Sequence, residues 1–250
     1  MKLLLTSAGI SNSSIHKALV ELLGKPISEC SALCIPTAIY PFRGGAGGAY
    51  RFISGTAKSP LVELGWKSLG VLELTALPSV DRESWVPEVE ETDAFLVFGG
   101  DPIYLRRWMK ESGLADLFES LRNEIVYVGI SAGSMAVTSY IGETYTGPNV
   151  PTGEDIRSEI IVVNTPDGDL SVNFTIAPGI GLADFALLPH ADHKSFPENS
   201  LANSALWASK LPVPLYALDD QSAIKVVDGV IEVISEGNWE LFAPKGHGYV

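Results

Sequence analysis

The first half of the chain alternates short apolar runs with longer amphipathic segments, and this alternation restricts the fold more than any other feature. Five apolar runs have the length of buried strands, at residues 2–6, 32–35, 69–74, 95–98 and 125–128. Segments between them space apolar side chains as helices do, at residues 13–23, 49–64 and 105–121. Strands joined through helices pair in parallel, and helices then cover both sheet faces. The sequence therefore predicts an α/β fold, a three-layer αβα sandwich with a mostly parallel central sheet.

The second half of the chain is less regular. A C-terminal β-hairpin is predicted because Asp228-Gly229 separates two apolar runs, at residues 223–227 and 230–234. The remaining elements are strands at residues 185–188 and 215–218, a helix at 199–209, a turn at 164–169 and a long surface loop at 144–158. No repeat or change of composition marks a boundary, so residues 1–250 are expected to form one domain.

The segment Gly129-Ile130-Ser131-Ala132-Gly133 directly follows a predicted strand and leads into residues that can open a helix. A strand, a sharp glycine-flanked turn and a helix make up the nucleophile elbow of serine hydrolases. The turn strains the serine backbone and projects its Oγ clear of the chain, at the positive end of the following helix. Ser131 is therefore the candidate nucleophile. The alternative is a turn that only joins a buried strand to a buried helix.

A serine nucleophile needs a base, and the chain has four histidines. His190 follows a predicted strand and falls at the same sheet edge as the candidate serine, which makes it the candidate base. His193 is the second choice, because His16 lies on a predicted helix and His247 in the C-terminal tail. The segment from residue 190 to 193 also contains three potential metal ligands, but it lacks the H-E-x-x-H spacing and no second ligand cluster is evident.

The base in turn needs an orienting carboxylate. Asp219 and Asp220 end a predicted strand at the same sheet edge, and strand alternation sends their side chains to opposite sides. Only one of them can therefore face the histidine. Asp192 is a third choice, since it is close to His190 in the chain. The alternative for the aspartate pair is an acidic turn before the hairpin.

Two glycine-rich segments follow predicted strands. Gly99-Gly100 leaves backbone N–H groups free to point into a site, and the N–H groups of Gly100 and Ala132 would form an oxyanion hole. A tight turn is the simpler interpretation. The segment at residues 44–48 lacks the phosphate-binding patterns of glycine-rich loops, so we interpret it as a flexible loop at the rim of the site, with phosphate binding as the alternative.

Composition restricts the partners. A formal net charge of −13 argues against nucleic acid and anionic membranes. No run approaches the ~18 apolar residues of a membrane span, and the apolar run at residues 2–6 is too short for a signal peptide. Cys30 and Cys34 fit neither a disulfide framework nor a C-x-x-C motif. Two reduced, structural cysteines and a cytoplasmic location are expected.

Taken together, these segments resemble the peptidase E family of serine peptidases, which includes aspartyl dipeptidase and the cyanophycinases and shares the class I glutamine amidotransferase fold. The resemblance spans most of the chain, and its order and strand-end placement are more specific than any single motif. The matching segments are Pro36-Thr37-Ala38, Phe98-Gly99-Gly100-Asp101, Gly129-Ile130-Ser131-Ala132-Gly133, Leu188-Pro189-His190 and Leu218-Asp219-Asp220-Gln221-Ser222-Ala223.

The resemblance implies a catalytic role for Ser131, His190 and Asp220, where relatives often carry glutamate at the third position, and an oxyanion hole at Gly100 and Ala132. It implies no cofactor or metal, and it is compatible with a homodimer. Two further departures stand out. The family commonly has Gly-Gly-Asn-Thr where this chain continues from its glycine pair with aspartate and proline. Aspartyl dipeptidases also use an arginine after the histidine, whereas only two lysines, at 194 and 210, lie between His190 and Asp220.

The favoured function is a cytoplasmic serine peptidase that cleaves small peptides through an acyl-enzyme. The alternatives are a catalytically silent binding or regulatory protein on the same scaffold, and an isopeptidase that resembles cyanophycinase. The missing arginine argues against strict specificity for an N-terminal aspartate.

Overall fold

The computed structural model describes residues 1–121, 125–146 and 150–243 of the chain, so His247 lies outside the described residues. The strands are β1 Lys2–Thr6, β2 Ser31–Ile35, β3 Ser68–Val71, β4 Ala94–Val97, β5 Val126–Ile130, β6 Tyr140–Tyr145, β7 Arg157–Thr165, β8 Gly168–Pro178, β9 Ala186–Leu188, β10 Leu215–Leu218, β11 Ser222–Val227, β12 Val230–Ser235 and β13 Trp239–Phe242. The α-helices are α1 Ser13–Leu23, α2 Gly45–Ile53, α3 Arg82–Glu91, α4 Pro102–Glu111, α5 Leu114–Leu117, α6 Ala132–Met135 and α7 Leu201–Ala208. Short 3₁₀ turns lie at Ile27–Glu29, Thr37–Ile39 and Leu77–Ser79.

A seven-stranded sheet forms the centre, in the order β12-β11-β1-β5-β4-β2-β3. The five strands from β1 to β3 in this order are parallel, and the hairpin of β11 and β12 adds to β1 in antiparallel orientation. The predicted mostly parallel sheet and C-terminal hairpin are confirmed. Because β1, β4 and β5 are neighbours, the loops after them meet at one edge of the sheet.

Both faces of this sheet are buried, which produces the three layers. Leu3 and Leu5 of β1 pack on one face with side chains of α3, α4 and α5. Leu4 packs on the other face with side chains of α1 and α2. Consecutive strand residues point to opposite faces, so a continuous apolar run fits a strand that is covered on both sides.

Several predicted boundaries were wrong. The helix expected at residues 49–64, with an interruption or bend near Gly55 and Pro60, is α2, which begins at Gly45 and ends at Ile53, shortly before Gly55. The glycine-rich segment is therefore helical and not a loop. The helix expected at 105–121 is broken at Gly113, which has φ 78° and separates α4 from α5. The loop expected at 144–158 overlaps the end of β6 and the start of β7, and its residues 147–149 lie outside the described residues.

The second half contains two small sheets, in the orders β6-β8-β7 and β13-β10-β9. Helix α7 packs over them, and the ring of Trp207 stacks on Phe174 at 4.7 Å between ring centroids. The predicted turn at residues 164–169 is confirmed as the connection of β7 and β8. No helix in the described ranges is long and apolar enough to cross a membrane.

Candidate active site

Ser131 lies in the turn between β5 and α6, with φ 51° and ψ −113°. Its N–H donates to the carbonyl of Thr6 at 3.0 Å, which fixes the turn against β1. A Cβ at Gly129 would lie 2.6 Å from the backbone nitrogen of Ser134, so the helix can approach the strand only because this residue is glycine. Ser131 therefore has a strained backbone between a strand and a helix. Helix α6 has only four residues, so its individual N–H groups matter more than a macrodipole.

His190 follows β9 and Pro189, and its backbone is left-handed, with φ 58°. Its Nδ1 lies 2.6 Å from Oδ1 of Asp220, which comes directly after Asp219 at the end of β10. The imidazole stacks on Phe196 at 4.7 Å and an interplanar angle of 14°. Contacts on Nδ1 and on the ring face leave Nε2 available for a partner in the cleft.

The two other acidic candidates have different partners. Oδ1 of Asp219 accepts hydrogen bonds from the N–H of Gln221 at 3.0 Å and the hydroxyl of Ser222 at 2.7 Å. Oδ1 of Asp192 accepts from the N–H of Leu201 at the start of α7, at 3.0 Å. The structure therefore brings Asp220 to His190 and directs the other two carboxylates to backbone N–H groups.

Ser7 joins the histidine to the aspartate, and the sequence offered no signal for it. This fully buried residue follows β1. Its hydroxyl accepts the backbone N–H of His190 at 2.8 Å and donates to Oδ1 of Asp220 at 3.1 Å. One hydroxyl can fill both roles because it carries one donor and two acceptor sites. Ser7 therefore fixes the strained backbone of His190 and the carboxylate of Asp220 at the same time.

Burial, the largest single influence, raises the pKa of Asp220, but the hydrogen bond and charge of His190 and the hydroxyl of Ser7 outweigh it. The net pKa of Asp220 lies below its ordinary value, so the carboxylate stays ionised.

His193 is further away, with Nε2 3.9 Å from Oδ2 of Asp220, and its Nδ1 accepts the N–H of Ser195 at 3.1 Å. No group of three metal-ligating side chains occurs within the described residues.

Gly99 and Gly100 connect β4 to α4 and lie beside the serine. A Cβ at Gly99 would be 3.4 Å from Cβ of Ser131, and Gly100 has φ 147°. The N–H groups of Gly100 and Ala132 have no acceptor among the residues that the structure describes. Free N–H groups on both sides of the serine are what a developing oxyanion requires.

Asp101 and Pro102, which follow this glycine pair, form the start of helix α4. Oδ1 of Asp101 accepts the N–H of Tyr104 at 2.8 Å and caps α4, and Pro102 occupies the first helical position. Oδ2 of Asp101 accepts the hydroxyl of Tyr145 at 3.1 Å. Burial raises the pKa of Asp101. The aspartate–proline pair indicates the start of α4 at residue 102, whereas the spacing of apolar residues predicted a start at residue 105, three residues too late.

Ser131 and His190 line one cleft of about 600 Å³. Acidic side chains form one wall of it, at Asp101, Glu143 and Glu198. Burial raises the pKa of Glu143 to about 8. No lysine or arginine of the described residues lines this cleft. Lys210 instead pairs with Glu159 on β7 at 3.0 Å.

Ser131 Oγ has no hydrogen bond to any of the described residues, so its hydroxyl can rotate freely. A strained serine after a central strand, on an αβα sandwich, is characteristic of serine hydrolases as a broad class. The sequence model of peptidase family S51 matches residues 3–234, and the chain belongs to this family. It is accordingly a serine-type peptidase, as the sequence predicted.

Two solved structures are similar to this chain in fold. A candidate peptidase E protein from Listeria monocytogenes EGD-e is 17% identical, with a TM-score of 0.56 over 94% of this chain and 98% of that one. A peptidase from an acI-B1 actinobacterium is 15% identical, with a TM-score of 0.55 over 98% of this chain and 95% of that one. The comparison with curated proteins gives no match.

Proposed function

We propose that this peptidase hydrolyses small peptides, dipeptides among them, through an acyl-enzyme on Ser131. The observation that carries the proposal is the 2.6 Å contact between Nδ1 of His190 and Oδ1 of Asp220, in the cleft that Ser131 also lines. A half-buried and ionised carboxylate at this nitrogen fixes the tautomer in which Nε2 can accept a proton.

In the proposed mechanism, His190 takes the proton of Ser131 as its Oγ attacks the scissile carbonyl carbon. Asp220 stabilises the imidazolium, and the N–H groups of Gly100 and Ala132 hold the oxyanion. The imidazolium then donates its proton to the leaving amine as the C–N bond breaks. Water attacks the acyl-enzyme with His190 again as base, which releases the acid and restores the serine. This sequence uses no cofactor or metal.

The substrate is small because the cleft of about 600 Å³ has the volume of a site for a small ligand.

Cys30 and Cys34 are free and buried, and burial raises the pKa of the Cys34 thiol to about 12. A thiol with such a pKa is unreactive, which supports structural roles for both cysteines and the proposed cytoplasmic location.

The test is covalent labelling of the intact protein with a fluorophosphonate probe, followed by hydrolysis assays on a dipeptide library. Ser131→Ala should abolish labelling and lower kcat by about three powers of ten or more while the protein stays folded. Ser195→Ala removes a hydroxyl from a nearby exposed loop and serves as the matched control. Labelling that persists in Ser131→Ala, or peptidase activity within tenfold of wild type in that variant, would exclude the proposed nucleophile.

A further inference from the structure

A second cavity lies directly beside the catalytic cleft. It has a volume of about 340 Å³ and shares Ile39, Phe42, Ser59 and Phe98 with the cleft. The two cavities therefore adjoin each other at these four residues.

Three cationic side chains surround this second cavity, from Arg43, Arg51 and Lys58. No acidic residue of the described chain lines it, although the protein as a whole has a formal net charge of −13. None of the three forms an ion pair or a side-chain hydrogen bond with another described residue, unlike Lys25 or Arg106, which bind aspartates. Three exposed, unpaired cations around one cavity create a local positive potential in an acidic protein.

The backbone at this cavity is arranged for close approach. Gly44, Gly45 and Gly48 line it at the start of α2, so no side chain covers the positive end of this nine-residue helix. A Cβ at Gly48 would lie 2.9 Å from Cγ1 of Ile39, which explains the glycine by packing against the 3₁₀ turn. The helix end adds to the positive potential that the three side chains already create.

We propose that this cavity, which we call the basic subsite and define by Arg43, Arg51 and Lys58, binds a carboxylate of the peptide substrate. The proposal rests on the proposed peptidase function. The catalytic cleft itself offers a carboxylate no lysine or arginine of the described residues, and its wall carries the carboxyl groups of Asp101, Glu143 and Glu198. A guanidinium matches the two oxygens of a carboxylate with two parallel hydrogen bonds.

The different linings of the two cavities also orient the substrate. A free α-ammonium group can donate hydrogen bonds to the carboxyl oxygens in the wall of the cleft, and the carboxylate of the leaving fragment is attracted to the basic subsite. The same carboxylate chemistry has two sources in a peptide, the C-terminal α-carboxylate and the side chain of an acidic residue in the leaving fragment. Both are tested below.

The experiment compares kcat/KM of the intact enzyme on three sets of substrates: Xaa-Leu dipeptides, the matching Xaa-Leu amides and Xaa-Asp amides. We expect about a tenfold preference for Xaa-Leu over its neutral amide, as for loss of one charge-assisted hydrogen bond. If Xaa-Asp amide is also preferred over the neutral amide, the subsite accepts a side-chain carboxylate; otherwise it reads the α-carboxylate. Equal rates for all three sets would overturn the proposal and leave the peptidase function intact.

The variant Arg43→Gln/Arg51→Gln should reduce the preference for the carboxylate to less than twofold. The control Lys17→Gln removes an exposed cation on α1, away from both cavities, and should keep the preference. A preference that survives in the double variant contradicts the assignment. If no peptide is hydrolysed, the proposed function fails. In that case the affinities of the protein for Xaa-Leu and for its amide are measured by titration. Tighter binding of Xaa-Leu supports the basic subsite, and equal or undetectable binding of the two overturns it.

Discussion

Ser7→Ala tests whether the bridge between histidine and aspartate contributes to catalysis. The substitution removes the acceptor of the His190 N–H and one donor to the Asp220 carboxylate, at a residue with no exposed surface. A hydrogen bond to a charged group contributes about 1.5–3 kcal/mol. If about 2 kcal/mol of that is lost in the transition state, kcat falls about 30-fold.

The same substitution should lower the stability of the protein. An unsatisfied buried N–H and a weakened carboxylate contact together cost about 2–3 kcal/mol. For a chain of this size the midpoint of thermal unfolding should fall by about 5–10 °C. Ser222→Ala is the matched control, because its equally buried hydroxyl binds Asp219, the neighbouring carboxylate that points away from His190.

The assay is steady-state kinetics at a temperature where both variants are folded. Ser7 does not line the cleft, so KM should stay within twofold in Ser7→Ala while kcat falls. Ser222→Ala should lose stability and keep kcat within twofold. An unchanged kcat in Ser7→Ala, or an equal loss in both variants, would refute the reasoning and leave Ser7 with a purely structural role.

Three further predictions concern the cleft. His190→Ala should abolish peptide hydrolysis, whereas His193→Ala, 3.9 Å from the aspartate, should change kcat less than tenfold; the reverse ranking in kinetic assays would move the base to His193. Asp220→Asn should lower kcat on the order of 10⁴, because an asparagine in a Ser-His-Asp triad holds the histidine in the wrong tautomer, and Asp219→Asn should lower it far less; a reversed order would transfer the role. Burial raises the pKa of Glu143 from 4.5 to about 8, so its contribution to stability is complete below about pH 4.5 and is lost as pH rises through about 8. Thermal unfolding between pH 5 and 9 should show wild type losing stability relative to Glu143→Gln, and parallel curves would contradict the raised pKa.

The sequence predicted the elements that depend on local patterns. The parallel strands β1, β2, β4 and β5 are covered on both faces, so each appears as a continuous apolar run, and β1 and α1 have their predicted boundaries. The glycine-flanked Ser131 and the histidine after Pro189 were also recognisable, because strand ends at one sheet edge converge whatever the details of packing.

Local sequence left open which acidic side chain meets the histidine; the family resemblance pointed to Asp220, and the tertiary structure places its carboxylate at Nδ1 of His190. Asp219, Asp220 and Asp192 are equivalent as local sequence, and the choice depends on how the end of β10 packs beside β9 and β1. Ser7 was missed for the same reason, since its partners lie 183 and 213 residues away in the chain. Hydrogen bonds across such separations leave no local pattern.

The other features that the sequence did not predict also depend on contacts between distant parts of the chain. The second-half strands β6, β7 and β8 gain their stability from pairing with one another and from the core around Trp207, and not from strong local preference. The acidic wall draws Asp101, Glu143 and Glu198 from distant parts of the chain, whereas the basic subsite comes from the single segment 43–58, which reaches the cleft only in the folded chain. Local periodicity and the glycine-flanked motif predicted the layers and the position of the candidate nucleophile, whereas long-range packing determined the charges and the hydrogen bonds around it.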